Sequence, residues 1–158
     1  ERLSALGCLA RNGEGTDELA TFHKTWRHVP DVLDKWFALQ VAAAEGSEAV
    51  TRARALVAHP DYDWRVPNRV RAVAGSLVRN HAAFHNAVGT GYDTAAEWIL
   101  HLDPQNPQVA AGLTGAFQTW RRYDGDRQSM ARDALTRIGA APDLSSDTRD
   151  MVDRILNG

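Results

Sequence analysis

Four arginines stand close together in a stretch of the chain that contains no acidic residue. No carboxylate occurs between Asp63 and Asp93, whereas this interval and its flanks carry Arg65, Arg69, Arg71 and Arg79. Guanidinium groups bind carboxylates and phosphates through paired hydrogen bonds. The stretch is therefore open to three interpretations: a nucleic-acid patch, a site for a small anion, or a solvated helix face.

The segment "VPNRVRAVAG" begins a predicted helix, and a helical wheel separates its arginines. Apolar side chains gather on one side, at Val70, Val73, Ala74 and Leu77. At about 100° per residue, Arg69 and Arg71 flank this side, and Arg79 lies opposite it, where we expect solvent. Gly75 follows Arg71 by one turn and leaves open space beside it. The wheel favours a structural salt bridge for Arg71, with a guanidinium reaching into a cavity to bind a carboxylate as the alternative.

The histidines offer no recognisable metal site. Zinc peptidases need His-Glu-x-x-His, which places both histidines on one helical face with the glutamate as general base. His81 and His85 have the required separation, but "HAAFH" lacks the glutamate, and His23 and His28 do not share a face. We predict helix-packing or surface histidines and no metal ligand in this chain.

Nucleophilic catalysis is equally unsupported by the sequence. There is no Gly-x-Ser-x-Gly elbow, and Cys8 lies between Leu6 and Leu9 on a predicted apolar stripe, where a buried thiol is inert. The glycine-rich pieces "RNGEGTD" and "VGTGYD" follow no strand and match no phosphate-binding loop, so we interpret them as connections between helices. We therefore predict no catalytic residue.

The composition is that of one ordinary globular domain without a strong electrostatic field. The chain has 158 residues, of which 44% are hydrophobic and 24% are charged, and its formal net charge is −2. This balance argues against nucleic acid and membrane surfaces as partners. No apolar run approaches the roughly 18 residues of a membrane-spanning helix, and we find no signal peptide. A single cysteine excludes an internal disulfide and leans towards a cytoplasmic location.

The arginines and histidines described above are predicted to lie on helices, because apolar residues recur at a spacing of three or four along most of the chain. Thr16, Ser47 and Asn106 are predicted N-caps, and Pro30 and Pro107 are predicted to open helices. Since the connections are short, we predict an all-α fold, a superhelical array of antiparallel helix hairpins (an ARM/HEAT-like α-solenoid) with about 8–10 helices. A compact helical bundle is the alternative.

Two further expectations concern the tryptophans and the extent of the chain. Trp26, Trp36, Trp98 and Trp120 lie on apolar stripes and are predicted to be core residues. Trp64 lies in the longest connection, "AHPDYDWRVP", and is the better candidate for an exposed or interface position. Because "ERLSALGCLA" already has the pattern of a helix interior, we expect residues 1–158 to be a single domain cut from the C-terminal part of a larger multidomain chain.

Several motifs stand in order along nearly the whole chain: Asp34-Lys35-Trp36-Phe37, Pro67-Asn68-Arg69-x-Arg71, Ala83-Phe84-His85, Gly89-x-Gly91-Tyr92, Asn106-Pro107-Gln108-Val109-Ala110 and Arg122-Tyr123-Asp124. Together they resemble the C-terminal helical domain of bacterial aminopeptidases of the M1 family of zinc metallopeptidases. The resemblance implies a parent enzyme that removes N-terminal residues from peptides with one Zn held in an upstream catalytic domain. It also implies a helical domain that closes over that domain and encloses a substrate chamber.

The resemblance further implies which residues line that chamber. By carry-over Arg71 would face bound peptide, with Gln108 and Asn68 as further chamber-lining positions and Arg69 left ambiguous. A second arginine that the family can place in this region corresponds to Gly112 here, which puts a two-arginine clamp in doubt. The position before Pro67 is Val66, so this helix loses a side-chain cap.

The partners implied by the resemblance are the catalytic domain of the same chain and, in the intact enzyme, a peptide substrate. A competing function class is a non-enzymatic helical-repeat scaffold that binds a protein along one face. An RNA-binding helical repeat is a third class, which the negative net charge disfavours.

Overall fold

The computed structural model describes residues 2–12 and 14–158, and within them every regular element is a helix. Ten are α-helices, numbered in chain order, and the segment Gly115–Arg122 between α8 and α9 is a 3-10 helix. Their bounds are α1 Arg2–Arg11, α2 Thr16–Trp26, α3 Pro30–Ala43, α4 Gly46–Val57, α5 Pro67–Arg79, α6 His81–Phe84, α7 Thr90–Leu102, α8 Pro107–Thr114, α9 Gly125–Gly139 and α10 Ser146–Asn157.

The helix starts follow from proline and from short polar side chains. Proline opens α3, α5 and α8, where its missing N–H costs nothing. The Asn106 side chain accepts a hydrogen bond from the N–H of Val109 at 3.2 Å, as predicted for an N-cap. The predicted caps Thr16 and Ser47 are wrong by one or two residues, because α2 begins at Thr16 and α4 already includes Ser47. Val66 provides no side-chain cap to α5.

The helices stack in two layers. In one layer α1 packs against α3, α3 against α5, α5 against α8 and α8 against α10. In the other layer α4 packs against α7 and α7 against α9, while the single-turn α6 bridges α4, α5 and α7. Consecutive helices such as α3 and α4 or α9 and α10 also contact each other, so the array is built from neighbouring hairpins. The predicted all-α, ARM/HEAT-like array is confirmed.

Aromatic rings fill the core between the layers. Trp36, Phe37, Trp98 and Trp120 are buried as the apolar stripes predict, and burial of such large side chains is a dominant stabilising term. One tryptophan prediction is wrong. Trp26, at the end of α2, is 36% exposed. Trp64 is half-buried, because its ring packs against Trp98 at 5.7 Å and His101 at 4.9 Å.

Two glycines set the junction between α6 and α7. Gly89 has φ 80°, a left-handed conformation that favours glycine, and it precedes the first turn of α7. A Cβ on Gly91 would lie 2.3 Å from the carbonyl oxygen of Phe84, so the backbones of α6 and α7 touch there. The predicted connection "VGTGYD" is therefore part turn and part close-packed helix start.

A buried carboxylate joins α7 to α10. Asp103 is 2% exposed. It accepts hydrogen bonds from the Ser145 N–H at 2.8 Å, the Ser145 hydroxyl at 2.5 Å and the Thr148 hydroxyl at 2.6 Å. Burial raises the pKa of Asp103, but these three bonds, together with the charge of Arg149, outweigh it and the pKa is lowered overall. The ionised carboxylate thus fixes the start of α10 to the end of α7.

Candidate functional site

Arg69 is a structural residue, which resolves the ambiguity that the sequence left. Its side chain is buried, and its guanidinium donates hydrogen bonds to the Asp34 carboxylate and to the carbonyl oxygen of Asp61. The guanidinium carbon also lies 5.1 Å from the centre of the Phe37 ring. A buried arginine with these partners joins α5 to α3 and to the preceding loop, and it is not available to a ligand.

Arg71 has the opposite environment. It is exposed, and Nη1 donates a hydrogen bond of 3.1 Å to Oδ1 of Asn68, one turn earlier on α5. Among the described residues no carboxylate forms an ion pair with it. Asn68 therefore orients a guanidinium whose charge stays uncompensated.

Arg71 opens onto a groove of about 520 Å³ between α5, α8 and the 3-10 helix, which we name the Arg71 groove. Gln108 and Gly112 line it from α8, and His81 lines it from α6. Two of the three predicted chamber-lining residues, Arg71 and Gln108, thus share one groove, and Asn68 reaches it through its bond to Arg71. None of the described lining residues carries a carboxylate.

Arg79 is exposed, as the wheel predicts, and it also lines the Arg71 groove. Its Nη1 lies 3.0 Å from the point where a Cβ on Gly75 would stand, and Nη2 is 3.4 Å from the carbonyl oxygen of Arg71. The long side chain folds back along α5 because glycine presents no obstacle. The space that Gly75 was predicted to leave open beside Arg71 is therefore occupied by the Arg79 guanidinium.

Arg79 stands at the boundary with a second and larger groove of about 1170 Å³. This groove runs over α1, α3 and the ends of α4 and α5, and its charged lining residues are Arg11, Lys35, Arg79 and Glu45. Cations thus outnumber carboxylates among the described residues that line these two grooves, although the whole chain is slightly acidic.

His85 is held by aromatic partners and not by a metal ligand set. It is buried, its Nδ1 lies 2.7 Å from the Tyr92 hydroxyl, and its ring stacks on Tyr123 at 3.8 Å. Burial, the nearby His81 and Arg127 together lower the pKa of His85 to about 4. This histidine is therefore neutral at pH 7 and serves packing, as the sequence predicted.

The sequence did not suggest a second histidine cluster, formed by His23, His59 and Asp61. Their ligand-type atoms all lie within 4.8 Å of one another. His23 Nε2 is 2.7 Å from Asp61 Oδ2, and the Asp61 N–H donates to Nδ1 of His59 at 3.1 Å. Burial and His23 lower the pKa of His59. His23 and Asp61 are 38 residues apart, so no local spacing pattern could have revealed the cluster.

The cluster fits a tether better than a metal site. Nδ1 of His59 already accepts a backbone hydrogen bond, and Arg27 lies 3.7 Å from the Asp61 carboxylate, where it would repel a cation. These groups fix α2 to the loop before α5.

Cys8 lies on the surface of α1 and not on its buried stripe. The thiol is free and exposed, whereas Leu6 is the buried residue of that turn. The prediction of a buried Cys8 is wrong: the residue lines a small open groove between α1 and α3, together with Leu39 and Ala42, where solvent reaches it. None of the described helices combines the length and the apolar character needed to cross a bilayer.

The chain is similar to known aminopeptidases over most of its length. It is 40% identical over 139 residues to aminopeptidase N of Caulobacter vibrioides and 36% identical over 139 residues to that of Haemophilus influenzae; each match covers 87% of this chain and 16% of the relative. The chain therefore spans about one sixth of the length of the curated relatives it matches. The crystal structure of Legionella pneumophila aminopeptidase A in complex with aspartic acid superposes with a TM-score of 0.86 at 35% identity, covering 98% of this chain and 18% of that one.

A family model described as a domain of unknown function with ARM repeats, DUF3458_C, matches residues 1–157. This match, together with the solved structure, confirms the resemblance to the C-terminal helical domain of M1 aminopeptidases. The chain belongs to the DUF3458_C family of ARM-repeat domains.

Proposed function

We propose that this chain is the non-catalytic C-terminal domain of a zinc aminopeptidase that removes N-terminal amino acids from peptides. The single observation that carries the proposal is the Arg71 groove, where Arg71 and Gln108 face the same space and no described lining residue carries a carboxylate. The similarity to aminopeptidase N of three bacteria supports the reaction class.

The domain acts by closing the active-site chamber of a catalytic domain in the same chain. A helical roof admits short or flexible peptides and excludes folded proteins. Arg71 attracts the carboxylate or the backbone carbonyls of the peptide, Asn68 holds its guanidinium in place, and the Gln108 amide offers a donor and an acceptor to the peptide backbone. Such contacts improve substrate binding and leave bond cleavage to the catalytic domain.

Zinc is the cofactor that this reaction class implies. The metal would activate water and polarise the scissile carbonyl. We place its ligands in the upstream catalytic domain; within this chain, the His23–His59–Asp61 cluster is already engaged by hydrogen bonds and lies beside an arginine. This chain then serves as one domain over residues 1–158, in a cytoplasmic enzyme.

The proposal is tested by comparing the full-length protein with this domain alone. We expect the full-length protein to hydrolyse peptides from the N-terminus, to lose the activity with a zinc chelator and to regain it with Zn²⁺. The isolated domain should be inactive with or without Zn²⁺. A full-length protein without peptidase activity would favour the helical-repeat scaffold, and zinc-dependent hydrolysis by the isolated domain would overturn the assignment.

A further inference from the structure

We propose that Arg79 supplies a second cation to the Arg71 groove, and that Arg71 and Arg79 together bind the C-terminal carboxylate of the peptide. This inference rests on the proposed function; it adds the residue Arg79 and chooses the C-terminal carboxylate, over the backbone carbonyls, as the group that is bound. The position at which the resemblance expects a second arginine, Gly112, provides no cation. Arg79 reaches the same groove from α5.

The contacts of Arg79 place its charge without neutralising it. Nη2 is 3.4 Å from the Arg71 carbonyl oxygen and 3.3 Å from the Ser76 hydroxyl, and both are uncharged acceptors. Among the described residues no carboxylate pairs with Arg71 or Arg79. Two guanidinium groups thus face one groove without an ion-pair partner among the described residues, and an anion that enters it relieves their mutual repulsion.

The lining of the groove suits a carboxylate at the end of a peptide. A guanidinium presents a planar fork of donors that matches the two oxygens of a carboxylate. Gly112 leaves the facing wall open, since a Cβ there would meet nothing within 4 Å. Gln108, on the same helix as Gly112, also lines the groove, and its amide offers a donor and an acceptor. A short peptide therefore finds two cations for its terminus and an amide for its backbone.

The test uses full-length protein and pairs of tripeptides that differ only in a C-terminal carboxylate or amide. In the wild type we expect KM to be lower for the acid than for the amide. Arg79→Gln should raise KM for the acid about five- to tenfold, with kcat and the KM of the amide nearly unchanged. Arg79→Lys, which keeps the charge but not the fork, should give an intermediate preference.

Arg154→Gln is the matched control, because Arg154 is an exposed arginine of α10 and does not line the groove. Its acid and amide kinetics should equal those of the wild type, and thermal unfolding should show that all variants fold. An Arg79→Gln enzyme that keeps the wild-type acid preference would overturn the inference. The inference would also be overturned if tripeptide amides that carry a glutamate side chain had the same low KM as tripeptides with a free C-terminal carboxylate. A wild type without peptidase activity would overturn the proposed function instead.

Discussion

The Thr148 hydroxyl donates a 2.6 Å hydrogen bond to the carboxylate of Asp103, and this bond joins the start of α10 to the end of α7. Because the bonded carboxylate has a lowered pKa, its stabilisation is complete above the unfolded pKa of about 3.9 and is lost as pH falls through the folded value. We expect Asp103→Asn to lower the free energy of unfolding at pH 7 by about 2 kcal/mol.

The measurement for Asp103 is urea unfolding of the 158-residue chain at several pH values. The wild type should lose stability below about pH 4 more steeply than Asp103→Asn. Asp143→Asn is the control, since Asp143 is an exposed carboxylate in the same connection to α10. Equal losses for the two variants at pH 7 would contradict the role assigned to Asp103.

His85 predicts a second pH dependence, at higher pH. Its pKa is lowered to about 4 by burial, His81 and Arg127, so the unfolded chain takes up a proton between about pH 6.5 and pH 4 that the folded chain refuses. Stability from this group is fully present above pH 6.5 and decreases as pH falls towards 4, by at most about 3 kcal/mol.

His85→Gln removes this titration. The difference in the free energy of unfolding between pH 7 and pH 5 should therefore be smaller for the variant than for the wild type. His59 also has a lowered pKa and contributes in the same direction, so part of the dependence remains. His28→Gln, at an exposed histidine, should keep the wild-type profile. The account of His85 fails if the free energy of unfolding changes equally between pH 7 and pH 5 in His85→Gln and in the control.

Gly91 gives a steric prediction. An added Cβ would lie 2.3 Å from the carbonyl oxygen of Phe84 and 2.6 Å from that of Ala83, and neither backbone group can rotate away. Gly91→Ala should therefore destabilise the chain by about 1–3 kcal/mol, despite the better helix propensity of alanine. Gly125→Ala is the control, because a Cβ at Gly125 meets nothing within 4 Å. Thermal unfolding distinguishes the two, and equal melting temperatures would show that α6 and α7 do not touch closely at this point.

The fold was predictable because the 3.6-residue period is local information. Val73, Ala74 and Leu77 are buried as the wheel places them, and Asn106 caps α8 as its side chain dictates. Such features depend on neighbours within one or two turns. The two-layer array then follows from short connections between amphipathic helices.

The site depended on partners that the sequence does not bring together. Arg69 and Arg71 flank the same apolar stripe, yet Asp34, far away in sequence on α3, meets only Arg69. A helical wheel gives only the angle at which a side chain leaves the helix, whereas the long side chain of Arg79 bends back across Gly75 into the groove. The partial burial of Trp64 was also beyond the sequence, because it depends on the loop that carries Trp64 folding onto Trp98 of α7.

The most direct test of the central claim, that this domain contributes to peptide binding and not to cleavage, is the kinetics of Arg71→Ala in the full-length enzyme. We expect KM for tri- and tetrapeptides to rise about five- to tenfold, with kcat nearly unchanged. Small chromogenic amino-acid amides, which are too short to reach Arg71, should be hydrolysed with wild-type constants. Equal changes in KM for peptides and for chromogenic amides, or a loss of kcat for both, would contradict the claim.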